Sequence, residues 1–180
     1  MKTAVIVIDM INDFVTGKLG FKGAVEIIPN IRELLAAARA KVIPVIYVCD
    51  SHTPEDPEVE SLGEHAMAGS EGSKVSPELK PKKGELVLPK RTYDIFFGTE
   101  LDGSLKKIGT QQLVLVGVLT DICVQHSAAG SFFRGYKVLI PEDCVASPYV
   151  RNHKYALNFM KKFYAAKITS SKDLMEGWGK

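Results

Sequence analysis

The sequence predicts an α/β fold in three layers, built on a doubly wound, mostly parallel sheet of about six strands, and three observations carry that prediction. Unbroken apolar runs rich in Val and Ile recur at Thr3–Ile8, Val42–Val48 and Leu113–Val116, as strands covered on both faces do. Stretches with apolar residues at helical spacing alternate with those runs. The first two runs are separated by enough chain for a helical crossover, which makes their strands parallel and the connection right-handed. Residues 1–180 read as a single domain with a sizeable core.

The first strand, TAVIVI, ends on Asp9, and MINDF follows it. A carboxylate at that end of a buried strand lies where open α/β sheets bind ligands, although it can also cap the next turn. Asp13 suits the capping role better. Gly17, Gly20 and Gly23 mark a loop. Ile28, Ile31, Leu34, Leu35 and Ala38 then form one helical stripe over Ile28–Ala40, with Pro29 in the first turn. The second strand runs straight into Cys49-Asp50-Ser51-His52.

From Asp56 to Lys83 the chain is polar and rich in Gly, Pro and Ser, a long surface excursion of the kind that usually serves function or stays disordered. It contains His65. Asp50, His52 and His65 together offer one carboxylate and two imidazoles, a set that suits Zn, Fe or Mn. A third short strand, Glu85–Pro89, leads directly to Lys90, which is either a solvated lysine or a third functional group at a strand end. Tyr93, Phe96 and Phe97 follow as aromatic wall or core. Ser104–Ile108 finishes a helix that Gly109 stops, and the central strand, Leu113–Val116, follows.

Gly117-Val118-Leu119-Thr120 turns the chain into a further helix, with Thr120 or Asp121 as its expected cap. Cys123 thereby falls in a first helical turn, where unpaired N–H groups and the helix dipole favour a thiolate, with shifts from about 8.5 down to roughly 3.5–7.5 seen in such settings. The alternative is a small buried packing residue. Gly135 ends this helix, Tyr136–Ile140 is the fifth strand, Arg151–Phe163 the last long helix, and Ala166–Ile168 a short closing strand. His126 and His153 read as structural. The polar tail Thr169–Lys180 reads as a surface segment with Trp178 as an anchor.

Composition excludes several classes. With 24% charged residues and a net charge of +2, there is no broad electrostatic footprint for nucleic acid or an anionic membrane. No apolar run reaches the ~20 residues that span a bilayer, and an aspartate interrupts the amino terminus too early for a signal-peptide core. Cys49, Cys123 and Cys144 form neither a disulfide framework nor a paired metal spacing. A cytoplasmic location is expected.

Three blocks, VIVIDMINDF, LPKRTYDIFFGTEL and LVLVGVLTDICVQHSA, together resemble the isochorismatase-like cysteine hydrolases, the family of nicotinamidases, N-carbamoylsarcosine amidases and isochorismatases. The resemblance, which covers most of the chain, implies a catalytic triad of Asp9, Lys90 and Cys123. It also implies a cis Val118–Leu119 peptide and an oxyanion hole from the amides of Leu119 and Cys123. Nicotinamidases in that family carry Asp-x-His and a second His around a divalent metal, matched here by Asp50, His52 and His65, with zinc first and iron or manganese possible. Ile11 stands where the family usually has glutamine, and Ser51 where tryptophan is common.

The expected activity is release of ammonia from a small-molecule amide, nicotinamide foremost, through a Cys123 thioester. Phe14, Tyr93, Val118 and Leu119 are expected to line the substrate pocket. An N-carbamoyl amidase on the same triad is the alternative, and a non-catalytic subunit retaining the fold is the alternative from another class. The resemblance further implies a homodimer or homotetramer.

Overall fold

The computed structural model describes residues 1–179, with Lys180, the last residue of the expected tail, outside them. In chain order it contains β1 (Thr3–Ile8), α1 (Asn12–Val15), α2 (Lys22–Glu26), α3 (Ile28–Ala40), β2 (Val45–Asp50), α4 (Pro57–Leu62), β3 (Leu86–Lys90) and α5 (Leu101–Lys107). Then follow β4 (Gln112–Val118), α6 (Gln125–Phe133), β5 (Lys137–Pro141), β6 (Val145–Ala146), α7 (Val150–Phe163), β7 (Lys167–Thr169) and α8 (Ser171–Gly179).

The strands form one parallel sheet in the order β3-β2-β1-β4-β5-β7, with the two-residue β6 also paired to β4, making seven strands where the sequence predicts about six. A two-residue strand is too short to leave a pattern. Side chains alternate strictly between two cores, because successive residues of a strand face opposite ways. Val5, Val7, Tyr47, Val114 and Val116 pack under α3 and α8, whereas Ile6, Ile8, Val48, Leu113 and Leu115 pack under α5, α6 and α7. The three layers follow from that alternation.

Four expectations change. The glycine-marked loop contains α2, and the polar excursion contains α4 as well as a short turn of helix at Pro77–Leu79. The tail is a helix: Leu174 is buried in the α3-side core, and Met175 and Trp178 pack against it. Strand ends shift by up to three residues, so that β2 begins at Val45 and includes Asp50.

Chain direction across the sheet reverses between β1 and β4, and the register there sets Ile8 beside both Val48 and Gly117. Such a reversal opens a crevice at the carboxyl ends of the strands. Gly117 has φ +116°, and a Cβ on it would overlap the Ile8 carbonyl oxygen. Gly117→Ala should therefore force β1 and β4 apart at the crevice and destabilise the protein by more than about 4 kcal/mol. A urea midpoint within error of the parent protein's would contradict that reading of the close approach.

Candidate active site

Four strand ends deliver side chains to this crevice. Asp9 follows β1, Asp50 ends β2 level with Lys90 at the end of β3, and Cys123 lies in the turn after β4. Lys90 is 1% exposed, and its Nζ is 2.8 Å from Asp9 Oδ2, in contact with Asp50 Oδ1, and 3.6 Å from Cys123 Sγ. Asp9 Oδ1 accepts the Asp50 N–H at 2.8 Å, which fixes its carboxylate. The sulfur and the carboxylates of Asp9 and Asp50 come within 4.8 Å of one another. Asp9, Lys90 and Cys123 thus converge.

The local chain after β4 differs from the expected capped helix. Thr120–Val124 is a π-helical turn, without a side-chain cap, and the Leu119 carbonyl accepts from both Ile122 N–H and Val124 N–H at 3.1 Å. Val118–Leu119 is cis, as the family resemblance implies. Thr120 Oγ1 lies 2.9 Å from His153 Nδ1, tying the turn to α7, so His153 has the structural place the sequence assigns it.

Electrostatics reverse one expectation. Burial, reinforced by the Asp9 and Asp50 charges, outweighs Lys90 and pushes the Cys123 thiol well above its ordinary value instead of below it. Burial and then the Asp50 charge raise Asp9 to about 6, with Lys90 only partly opposing them. Desolvation works against the Lys90 ammonium, but the charges of Asp9, Cys123 and Asp50 overcome it and hold its proton firmly. At neutral pH the arrangement is a thiol, an ammonium and a carboxylate able to accept the thiol proton.

Cys123 forms part of the wall of a cavity of about 380 Å³, which also meets Phe14, Tyr93, Val118 and Leu119, the four expected pocket residues. Phe21, Leu62 and Tyr149 add apolar wall that the sequence did not single out. Among the described residues, no lysine or arginine lines this cavity; its ionisable lining is Asp50, Glu58, His65, Tyr93, Cys123 and Tyr149. Ile11 is buried in the core, and Ser51 faces a separate cleft with Arg91 and Phe97.

Asp50, His52 and His65 meet as expected, and Glu58 joins them, with one donor atom from each of the four within 4.8 Å of the others. Asp50 Oδ2, His52 Nε2, Glu58 Oε1 and His65 Nε2 are all buried without a hydrogen-bond partner. Each imidazole is oriented from its other nitrogen: His52 Nδ1 lies 3.2 Å from Asp56 Oδ2, and His65 Nδ1 lies 2.8 Å from the Gly63 carbonyl. With Nδ1–H donated there, both Nε2 lone pairs are free. Arg91 in turn grips Asp56. Four orphaned donors around one point fit a divalent ion. Glu58 had a legible signal, since Asp56-Pro57 is a helix-start dipeptide that places it in the first turn of α4.

Residues 3–173 match the isochorismatase domain. The chain is similar to N-carbamoylsarcosine amidase from Thermoplasma acidophilum, at 38% identity over 95% of this chain and 97% of that one, with a TM-score of 0.90. It is similar to the nicotinamidase PncA from Bacillus subtilis at 30% identity, covering 94% and 100% of the two chains, with a TM-score of 0.88. Ureidoacrylate amidohydrolase RutB of Pantoea ananatis is 31% identical over 79% of this chain and 68% of its own length. All three relatives are amidohydrolases that act on C–N bonds, and among the described residues no helix of this chain is long and apolar enough to cross a membrane. With the domain match spanning nearly its whole length, the chain belongs to the isochorismatase family of hydrolases.

Proposed function

We propose that this single-domain hydrolase, residues 1–180, releases ammonia from a small uncharged amide, nicotinamide foremost, using Asp9, Lys90 and Cys123. The observation that carries the reading is the meeting of Asp9 and Lys90 at the Cys123 sulfur, which lines a largely apolar cavity.

Asp9 takes the proton of Cys123, and Lys90 stabilises the negative charge that moves onto sulfur. The sulfur attacks the amide carbon, and the amides of Leu119 and Cys123 hold the resulting oxyanion. Asp9 returns its proton to the leaving nitrogen, ammonia departs, and a thioester remains. Asp9 then accepts a proton from the water that attacks the thioester and hands it to the departing sulfur, which frees the acid and restores both the thiol and the carboxylate. Asp50, His52, Glu58 and His65 would hold a divalent metal, zinc foremost. When bound, the ion supplies a Lewis-acid contact that fixes a donor atom of the substrate, such as a ring nitrogen.

A second reading, an N-carbamoyl amidase, is favoured by the 38% identity to the Thermoplasma acidophilum amidase. Ammonia release from nicotinamide and from N-carbamoylsarcosine, measured side by side, separates the two. The first reading expects kcat/KM larger for nicotinamide by on the order of 100-fold, and a fall of similar size on chelation that zinc reverses. The opposite substrate order would assign the second reading.

Asp9 also sets a pH dependence. Below about pH 6 it carries the proton and cannot accept another from Cys123, so kcat/KM should fall as pH decreases through that value. A profile flat from about pH 5 to about pH 7.5 would remove Asp9 from the role of base. A cytoplasmic homodimer or homotetramer completes the reading. Three free thiols favour the compartment, and a surface cluster of Phe132, Phe133, Tyr155 and Phe163 supplies a face for a second copy.

A further inference from the structure

His65 stands on an irregular segment, not on a helix or strand, so something else must hold its ring beside those of Asp50 and His52. Asp13 is placed to do so. Its carboxylate is buried, and Oδ2 accepts the Ala66 N–H at 2.8 Å, one residue from His65, while Oδ1 lies 3.5 Å from Lys18 N. Its own N–H donates to the Gly72 carbonyl at 3.0 Å, and the neighbouring Asn12 N–H donates to the Lys74 carbonyl at 2.9 Å. A Cβ at Gly72 would overlap the Asp13 carboxylate, so the segment is drawn tightly over that side chain.

Ala66 has φ +45°, a conformation that a residue with a Cβ keeps only when its surroundings impose it. The Ala66 carbonyl accepts from His52 N–H at 3.0 Å, and Ala68 N–H returns a bond to the His52 carbonyl at 2.9 Å. The stapled segment therefore carries His65 and also meets the backbone of His52. The rings of the two histidines end 4.8 Å apart, and Phe14, next to Asp13, packs 5.7 Å from His65.

We propose that Asp13 is a positioning residue for the metal site: by capturing the Ala66 N–H it sets the turn that aims His65 Nε2 at the other three donors. The inference rests on the metal reading above. Asp13 is not one of the donors, so its effect must travel through His65.

The test is the zinc affinity of chelator-stripped full-length protein, measured by competition with a chromogenic chelator, alongside alkylation of Cys123 by iodoacetamide and thermal melting. Asp13→Ala should weaken zinc binding about 10- to 100-fold, the range for loss of an outer partner of a metal ligand, and leave Cys123 alkylation within about 2-fold. In a His65→Ala background the same change should cost less than about 2-fold, because the ligand it serves is gone. Asp13→Asn keeps one carbonyl oxygen for Ala66 N–H and should retain most of the affinity, which also covers failure of the alanine variant to fold. Parent and Asp13→Ala proteins binding zinc equally, or Asp13→Ala costing as much without His65 as with it, would overturn the inference while leaving the metal reading standing. A parent protein that does not bind zinc at all would overturn both.

Discussion

Cys123→Ala should lower amide hydrolysis by on the order of 10,000-fold or more while leaving the protein folded. The expectation follows from what surrounds the sulfur. Cys123 is 5% exposed, lies on the cavity wall, and is the group that both Asp9 and Lys90 approach from behind. Asp50 is held by Lys90, and both Asp50 and Glu58 contribute to the orphaned donor cluster. Removing one sulfur from a small side chain in the α6-side core leaves its neighbours in place, so the stability change should stay near about 1 kcal/mol, the centre of the usual range.

The measurement is ammonia release, coupled to intact-mass analysis of the enzyme quenched during turnover. An acyl adduct on the parent protein that disappears in the alanine variant is the expected pair of results. Retention of a tenth or more of the activity would transfer the chemistry to a metal-activated water and make the sulfur a bystander. The same pair of measurements on Asp9→Asn separates base from nucleophile, since an unionisable amide at that place leaves the sulfur present but protonated.

The sheet was legible because burial on both faces leaves unbroken runs of Val and Ile, and each run stops where the chain leaves the core. Asp9, Asp50, Lys90 and the turn with Cys123 stand at such stops, so their proximity could be inferred before any coordinate was known. Their electrostatics were not legible. A helix start lowers a thiol when its N–H groups face the sulfur in an open setting, but here the turn is wound as a π-helix about the Leu119 carbonyl and sealed beside two carboxylates. Burial and like charge, neither encoded in the local sequence, decide the sign. Glu58 and α8 were missed for a different reason. Both lie in polar stretches where amphipathic turns are short, and the cues, Pro57 after Asp56 and the four-residue spacing of Leu174 and Trp178, are weak until a partner surface exists.

Lys90→Met tests the other half of the centre, because methionine fills nearly the same volume and removes only the charge. Asp9 and Asp50 would then be two buried carboxylates sharing a site with no cation between them. Breaking such an arrangement by deleting one partner costs about 3–5 kcal/mol, a large share of a typical domain's 5–15 kcal/mol. The cost should depend on pH with a definite sign. In the parent protein burial opposes ionised Asp50, but Lys90, together with His52, outweighs it and holds its pKa below the ordinary value. That stability is present above the unfolded carboxylate pKa of about 3.9 and is lost as pH falls through the lower folded value. Asp9, raised to about 6, works the other way and loses its contribution as pH rises toward that value. Without Lys90 both folded pKa values move up, so the variant binds more protons folded than unfolded across the range from about 4 to 7, and its stability falls as pH rises. Urea midpoints on chelator-treated protein should therefore differ between parent and variant by much less at about pH 4.5 than at about pH 7.5, with hydrolysis down on the order of 1000-fold at the higher pH. A gap of equal size at both pH values would mean that the methionine disturbs packing, and that the lysine's charge is not what holds the two acids together.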